Sequence, residues 1–269
     1  MDILAEIASH KKKEVEERKS LFPVKLLEKS IFFNSTPVSL KRYLLRDDLS
    51  GIIAEFKKRS PSRGFINKYA DVERTTIGYM QAGASALSVL TDGNYFGGKN
   101  DDLTTARKFN FCPILRKDFV VDEYQVIEAK SIGADAILLI AAILSAEEIR
   151  NLAKLATDLG MEVLLEIHGE DEIEKIVSEI ELVGVNNRDL KTMKVSLQTS
   201  LDLALRLPSS VTRISESGIG SAEQLLKLRD AGYRGFLMGE FFMKHGRPEL
   251  ACANFIREVN QSQKPALQV

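Results

Sequence analysis

Eight short apolar runs, each followed by a helix-like stretch, constrain what this chain can fold into more than any other feature. They are GIIAEFK (51–57), ALSVLTD (86–92), CPILRKDF (112–119), DAILLIAA (135–142), MEVLLEIH (161–168), LVGVNNRD (182–189), VTRISES (211–217) and GFLMGE (235–240). Each is continuously apolar rather than alternating, as strands covered on both faces are. Between them stand DEYQVIEAKSIGA, SAEEIRNLAKLATDLG and SAEQLLKLRDAG, which open on Asp or Ser caps and close at glycine. With strand ends at 57, 90, 117, 140, 166, 186, 215 and 239, the spacing runs from 20 to 33 residues, without a linker. Eight successive β-α units predict an α/β protein, a closed parallel (β/α)8 TIM barrel forming one domain over residues 1–269. A doubly wound open sheet fits less well, because no glycine-rich dinucleotide loop follows the first strand.

Residues 1–48 form a charged helical extension ahead of the first strand. Ile3, Ile7, Lys11 and Val15 give a loose helical period, and Val24, Leu26, Leu27 and Ile31 suggest a second amphipathic segment. The Lys11–Lys13 tract, followed by glutamates, reads as a solvated helix face of alternating charge. A net charge of −1 supplies no basic field for nucleic acid or an anionic membrane. No run of 18 apolar residues is present, and the N-terminus carries charge where a signal peptide needs an apolar stretch. Cys112 and Cys252 suit a reducing cytoplasm and exclude a disulfide framework or a four-cysteine zinc site. The last residues, QSQKPALQV, read as a loose tail, and with nothing after the eighth unit no fused second domain is expected.

A barrel of this type carries its chemistry at the C-terminal ends of its strands. Those ends here offer Glu55 and Lys57, Thr91-Asp92, Arg116-Lys117-Asp118, Glu166 and His168, Asn186-Asn187-Arg188, Ser215-Glu216-Ser217 and Gly239-Glu240. Glu55, Lys57, Lys117, Glu166, Asn186 and Glu216 are expected to face one space. Buried polar groups without partners are costly, so six of them converging indicate a site rather than a core. Ser217-Gly218-Ile219-Gly220 after the seventh strand and Met238-Gly239-Glu240 after the eighth resemble anion-binding loops, and Arg59 and Ser60 are placed to close over the same phosphate. Tyr95-Phe96-Gly97-Gly98 reads as a mobile cover, and Phe119 as either core or a stacking platform for an aromatic substrate. His168 has no second His or Cys at ligand spacing, so no metal is expected. Strand alternation turns Lys58 toward solvent.

Together these residues resemble the indole-3-glycerol-phosphate synthase family of tryptophan biosynthesis. The resemblance rests on seven motifs in order: IIAEFKKRSPSRG, SVLTDGNYFGG, PILRKDFVVDEYQ with EAKSIGADAILLI, LLEIH, VGVNNRDLKT, SESGI and FLMGE. The helical start, ILAEIASHKKKEVEERK, is similar to that family's N-terminal extension, which covers the barrel mouth and helps bind substrate.

This resemblance implies ring closure, decarboxylation and dehydration of 1-(2-carboxyphenylamino)-1-deoxyribulose 5-phosphate, with no cofactor, in a monomer. Lys117 then matches the general acid that protonates the ketone oxygen, and Glu166 the base or proton shuttle of dehydration. Lys57 matches the lysine that pairs with substrate or donates the proton of the later step. Glu55, Asn186, Arg188 and Glu216 match positioning residues, while Ser217, Gly218, Gly239 and the backbone N–H of Glu240 fall where phosphate is held. Two lysines in one pocket lower each other's pKa from about 10.4. The three glutamates oppose this, and the sequence leaves the balance open. Three other readings stand beside this one. They are a Schiff-base aldolase using Lys57 or Lys117, a sugar-phosphate-binding regulatory barrel, and phosphoribosylanthranilate isomerase, whose shorter chain lacks the helical start.

Overall fold

In the computed structural model, which describes residues 3–189 and 192–263, eight parallel strands close into a barrel. They are β1 (Ile52–Phe56), β2 (Ala86–Leu90), β3 (Ile114–Lys117), β4 (Ala136–Ile140), β5 (Glu162–Ile167), β6 (Leu182–Asn186), β7 (Thr212–Glu216) and β8 (Gly235–Met238). Neighbours in the chain are neighbours in the barrel, and β8 pairs with β1 to close it. Every strand ends within one residue of the position expected from the sequence. Residues 190–191, in the sixth motif, and 264–269, in the expected tail, lie outside the described residues.

The capping signals work as the sequence reads them. Asp122 accepts from the Tyr124 N–H at the start of α6 (Glu123–Ser131), and Ser221 from the Gln224 N–H at the start of α9 (Ala222–Asp230). Ser145 and Glu148 form a reciprocal capping box on α7 (Ala146–Asp158). One unit departs from the pattern. Between β5 and β6 the chain has only residues 168–181 and holds a 3₁₀ segment, Glu170–Lys175, in place of an α-helix. A parallel crossover needs about a dozen residues or more, which leaves no room here for a full helix and two turns.

Strand alternation divides the apolar residues into two layers. Ile53, Ala86, Leu115, Ala136, Leu138, Leu164, Leu182, Ile214 and Leu237 fill the barrel interior. Ile52, Ala54, Leu87, Val89, Ile137, Leu165, Val183 and Phe236 pack outward beneath the helices. This two-sided burial explains the unbroken apolar runs.

The extension at 1–48 divides between the two ends of the barrel rather than covering the mouth alone. Helix α1 (Ile3–Leu21) lies at the C-terminal ends of the strands, where Glu6 meets Tyr95, Lys11 meets Asp92 and Asp118, and Arg18 meets Glu128. The chain then descends the outside past α6, and α3 (Leu40–Leu44) closes the opposite end. There Glu162, the first residue of β5, accepts from Ser39 Oγ and the Lys41 N–H, and Leu40 and Leu44 plug the interior. The expected second amphipathic segment is only one turn, α2 (Val24–Leu27), and Leu26 and Ile31 are exposed. Four residues started by Pro23 bury too little surface to hold a longer helix in place.

Candidate active site

The alternation that packs the core also aims the chemistry. Residues two apart on a strand share a face, so Ile53 and Leu115 in the core put Glu55, Lys57 and Lys117 on the same inner face nearer the mouth. Leu164 does the same for Glu166, Leu182 for Asn186, and Ile214 for Glu216. Register sets their heights: Glu55 lies opposite Ser88, Glu166 opposite Gly184, and Asn186 opposite Glu216. The result is one cavity of about 1050 Å³ at the C-terminal mouth. Glu55, Lys57, Lys117, Glu166, Asn186 and Glu216 all line it, with Ser60, Phe119, Arg188, Ser217, Gly218, Gly239 and Glu240.

At the floor, Lys117 Nζ lies 2.6 Å from Glu166 Oε2 and 3.0 Å from Glu216 Oε2. Burial lowers the Lys117 pKa, but Glu166, Glu216 and Glu55 together outweigh it and hold the ammonium above the ordinary lysine range. The carboxylates therefore win the balance that the sequence left open. Burial raises both glutamates, with opposite outcomes. In Glu166 the cations Lys117 and His168 prevail and hold the carboxyl well below its usual range. In Glu216 burial and the charge of Glu166 prevail over Lys117, and the carboxyl rises to about 7. Two neighbouring acids pushed apart in this way are equipped for different proton-transfer roles. Glu216 takes this position against a glycine, since a Cβ at residue 184 would lie 2.1 Å from Glu216 Oε1. Lys57 Nζ pairs with Glu55 Oε1 at 2.8 Å across the floor.

The other wall is built from backbone. Ser217 and Gly218 are consecutive residues in the left-handed region, at φ 69° and 83°. That turn is accessible to glycine and unusual for serine. It exposes backbone to the cavity over 217–220, opposite 238–240. The Glu240 carboxylate spans two cations, 2.9 Å from Arg63 Nε and 3.5 Å from Arg188 Nη2. Arg59 is not part of the lining. Its guanidinium bonds the Asn94 carbonyl and lies over the Phe65 ring, because the hairpin of Arg59–Ser60 with Gly64–Phe65 alternates Ser60 inward and Arg59 outward. Arg63 is the first-loop cation that faces the cavity. Lys58 does leave the cavity as alternation requires, but it reaches Asp102 of α5 (Asn100–Phe109) instead of open solvent.

Several residues escaped the sequence reading. Lys11 is no solvated lysine: its side chain is 1% exposed and its ammonium lies 2.8 Å from Asp92 and 3.1 Å from Asp118. The only signal was its place in the Ile7–Val15 period. Asp118 also accepts from the Phe119 N–H and Thr91 Oγ1, and Asp92 from the N–H groups of Tyr95 and Phe96. The Tyr95–Gly98 loop is thus tied down beneath α1, and Leu4 and Ile7 join Phe96 and Phe119 in an apolar wall. Asn187 turns from the cavity to bond Ser215 Oγ and the Ser217 carbonyl, fixing the left-handed turn. His168 contacts Glu166, and among the described residues no three His, Cys, Asp or Glu side chains converge as metal ligands would.

The same residues place the chain among known proteins. Residues 4–255 match the family model described as indole-3-glycerol phosphate synthase. A protein of that name from Bacteroides thetaiotaomicron is 48% identical over 260 residues, covering 96% of this chain and 99% of the relative. One from Carboxydothermus hydrogenoformans is 40% identical, covering 91% and 96%. One from Prochlorococcus marinus is 43% identical, covering 90% and 85%. A solved structure described as "Native KDPGal structure" superposes with a TM-score of 0.56 at 16% identity, covering 81% of this chain and 96% of that one, a likeness of fold alone. By sequence over nearly its whole length, and with a closed (β/α)8 barrel to match, the chain belongs to the indole-3-glycerol phosphate synthase family.

Proposed function

We propose that this cavity converts 1-(2-carboxyphenylamino)-1-deoxyribulose 5-phosphate into indole-3-glycerol phosphate, carbon dioxide and water. The carrying observation is Lys117, held protonated between two buried carboxylates at the floor of a cavity with a glycine-lined wall. The phosphate sits on the backbone of 217–220 and 238–240, which neutral N–H groups make hospitable to an anion. The Glu240 carboxylate stays turned to Arg63 and Arg188. The aromatic ring lies against Phe119, Phe96, Leu4 and Ile7.

The substrate ring carbon that bears the carboxylate attacks the ketone carbon, and Lys117 gives its proton to the ketone oxygen. Substrate entering between Lys117 and either glutamate removes part of the attraction that holds this proton. Burial, which opposes the charge, then favours its release. Breaking the bond to the carboxylate releases carbon dioxide and returns its electron pair to the ring. Glu166 next removes the proton beside the new hydroxyl, which leaves as water with a proton from Lys57, while Glu55, Asn186 and Glu216 position the chain. A Schiff-base route through Lys117 is disfavoured, because it needs a neutral lysine and Lys117 is held charged. As a carboxy-lyase of this family the chain catalyses a decarboxylating ring closure, and the test is direct. Purified protein with the arylamino ribulose phosphate should generate indole fluorescence. Glu166→Gln should slow product formation by about 10²–10⁴-fold, and an undiminished rate in that variant refutes Glu166 as the base. A substrate adduct trapped by borohydride would favour the aldolase reading instead.

A further inference from the structure

The two oxygens of the Glu166 carboxylate face two different nitrogen-bearing side chains. Oε2 faces Lys117 in the cavity, whereas Oε1 faces Nε2 of His168, the residue just past the end of β5, at 3.2 Å. The other ring nitrogen, Nδ1, lies 3.5 Å from Glu172 Oε2, and Glu172 also accepts the His168 backbone N–H at 2.6 Å. Both ring nitrogens are buried and neither has a well-angled hydrogen bond, so their contacts are with charge on both sides. The 3₁₀ segment Glu170–Lys175, where the regular fold has a helix, brings Glu172 back over the strand end. Glu166, Glu172 and His168 are the charges in direct contact here. Lys175 on the same segment points away to the carbonyls of Ala141 and Leu144, and Lys117 and Glu216 face Glu166 from β3 and β7.

We propose that His168, clamped by Glu172, is a positioning residue that stays an imidazolium and holds Glu166 ionised with Oε2 aimed at the substrate. The sequence EIHGEDE carries the arrangement as an acid, a histidine two residues on and a second acid four further. Burial opposes the charge on His168, but the two glutamates overcome it and push the imidazole up to about 10. Without this cation, Lys117 is left as the one neighbouring charge opposing the burial that drives Glu166 toward the protonated form, which cannot act as a base. The inference rests on Glu166 being the base of dehydration.

His168→Gln keeps a polar group of similar reach and removes the charge. Its kcat is expected to fall roughly tenfold with KM within about threefold of the parent, and the acid limb of the kcat profile to move up by about one pH unit. A superimposable pH profile, or a loss confined to KM, overturns the proposal. Histidine ¹⁵N NMR of the unaltered protein gives a readout that needs neither turnover nor a folded His168 variant. Signals of the exposed His10 and His245 are assigned with His10→Gln and His245→Gln. The His168 ring should remain doubly protonated at pH 8, where an ordinary histidine is neutral. A neutral His168 at pH 8 refutes the clamp even if Glu166 proves essential. A charged His168 with a dispensable Glu166 refutes the assignment of the base instead.

Discussion

Replacing Lys11 by methionine tests how the N-terminal helix is coupled to the catalytic floor. The side chain is 1% exposed and its ammonium is shared by Asp92 at 2.8 Å, Glu14 at 2.9 Å and Asp118 at 3.1 Å. Asp118 keeps Arg116 and Thr91 when the lysine is removed. Asp92 keeps two backbone N–H donors on Oδ1, but its fully buried Oδ2 loses its cation. Stranding a buried charge in this way costs about 3–5 kcal/mol, which corresponds to a fall of roughly 10 °C in Tm. The global loss is capped, however, by the free energy that docks α1, because the helix can leave the barrel before the barrel unfolds. Urea unfolding should therefore show a smaller change than hydrogen exchange, where residues 3–21 lose protection first. Asp92→Asn in the same chain removes the stranded charge and should restore roughly 2 kcal/mol in a double-mutant cycle. Turnover should suffer as well, with a raised KM, since α1 carries Leu4 and Ile7 into the cavity wall. A loss below about 1 kcal/mol in the exchange protection of residues 3–21, or a coupling near zero, refutes the claim that this pair docks the helix.

Three other perturbations follow from the same geometry. Burial raises Asp118, but Lys11 and Arg116 hold it down at about 2, below the unfolded value near 3.8. Its stabilisation, on the order of 2 kcal/mol, is present above pH 4 and lost as pH falls through 2. Glu216 has the opposite sign: raised to about 7, it binds a proton in the folded state that the unfolded chain releases near 4.5. Stability falls as pH rises across that window, so Glu216→Gln should raise Tm at pH 8 more than at pH 5 while reducing kcat. An equal shift at both pH values in thermal melts counts against the buried charge as the cause. Gly184→Ala puts a methyl 2.1 Å from Glu216 Oε1. It should displace that carboxylate and lower kcat at least tenfold, while far-UV circular dichroism stays unchanged. Unaltered kinetics would show that Glu216 has room elsewhere.

The barrel was legible because local and global signals agree. Unbroken apolar runs, capped helices and regular spacing each require strands buried on both faces, and a one-residue slip in any of them would turn Lys117 or Glu166 out of the mouth. The inward residues could be named by alternation alone, as Glu55 and Lys57 show. What the sequence hid depends on contacts between distant segments. Lys11 looks like its neighbours Lys12 and Lys13 until Asp92 and Asp118 are brought beneath it. Arg59 and Arg63 share one loop and one charge, and only the alternation of a two-residue hairpin turns one outward. Gly184 is unremarkable in a strand until the Glu216 side chain is placed against it. His168 gave no metal pattern because its partners are carboxylates, one of them supplied by a 3₁₀ turn that the helical period did not reveal.

The central claim is that Lys117, set between Glu166 and Glu216, delivers the proton on which ring closure depends. Single-turnover kinetics with Lys117→Ala, following indole fluorescence and carbon dioxide release together, address it most directly. The account predicts that both signals fall by about 10²–10⁴-fold, while the variant remains folded and binds inorganic phosphate as the parent does. Carbon dioxide release at close to the parental rate would contradict it, because carbon–carbon bond formation would then proceed without this lysine.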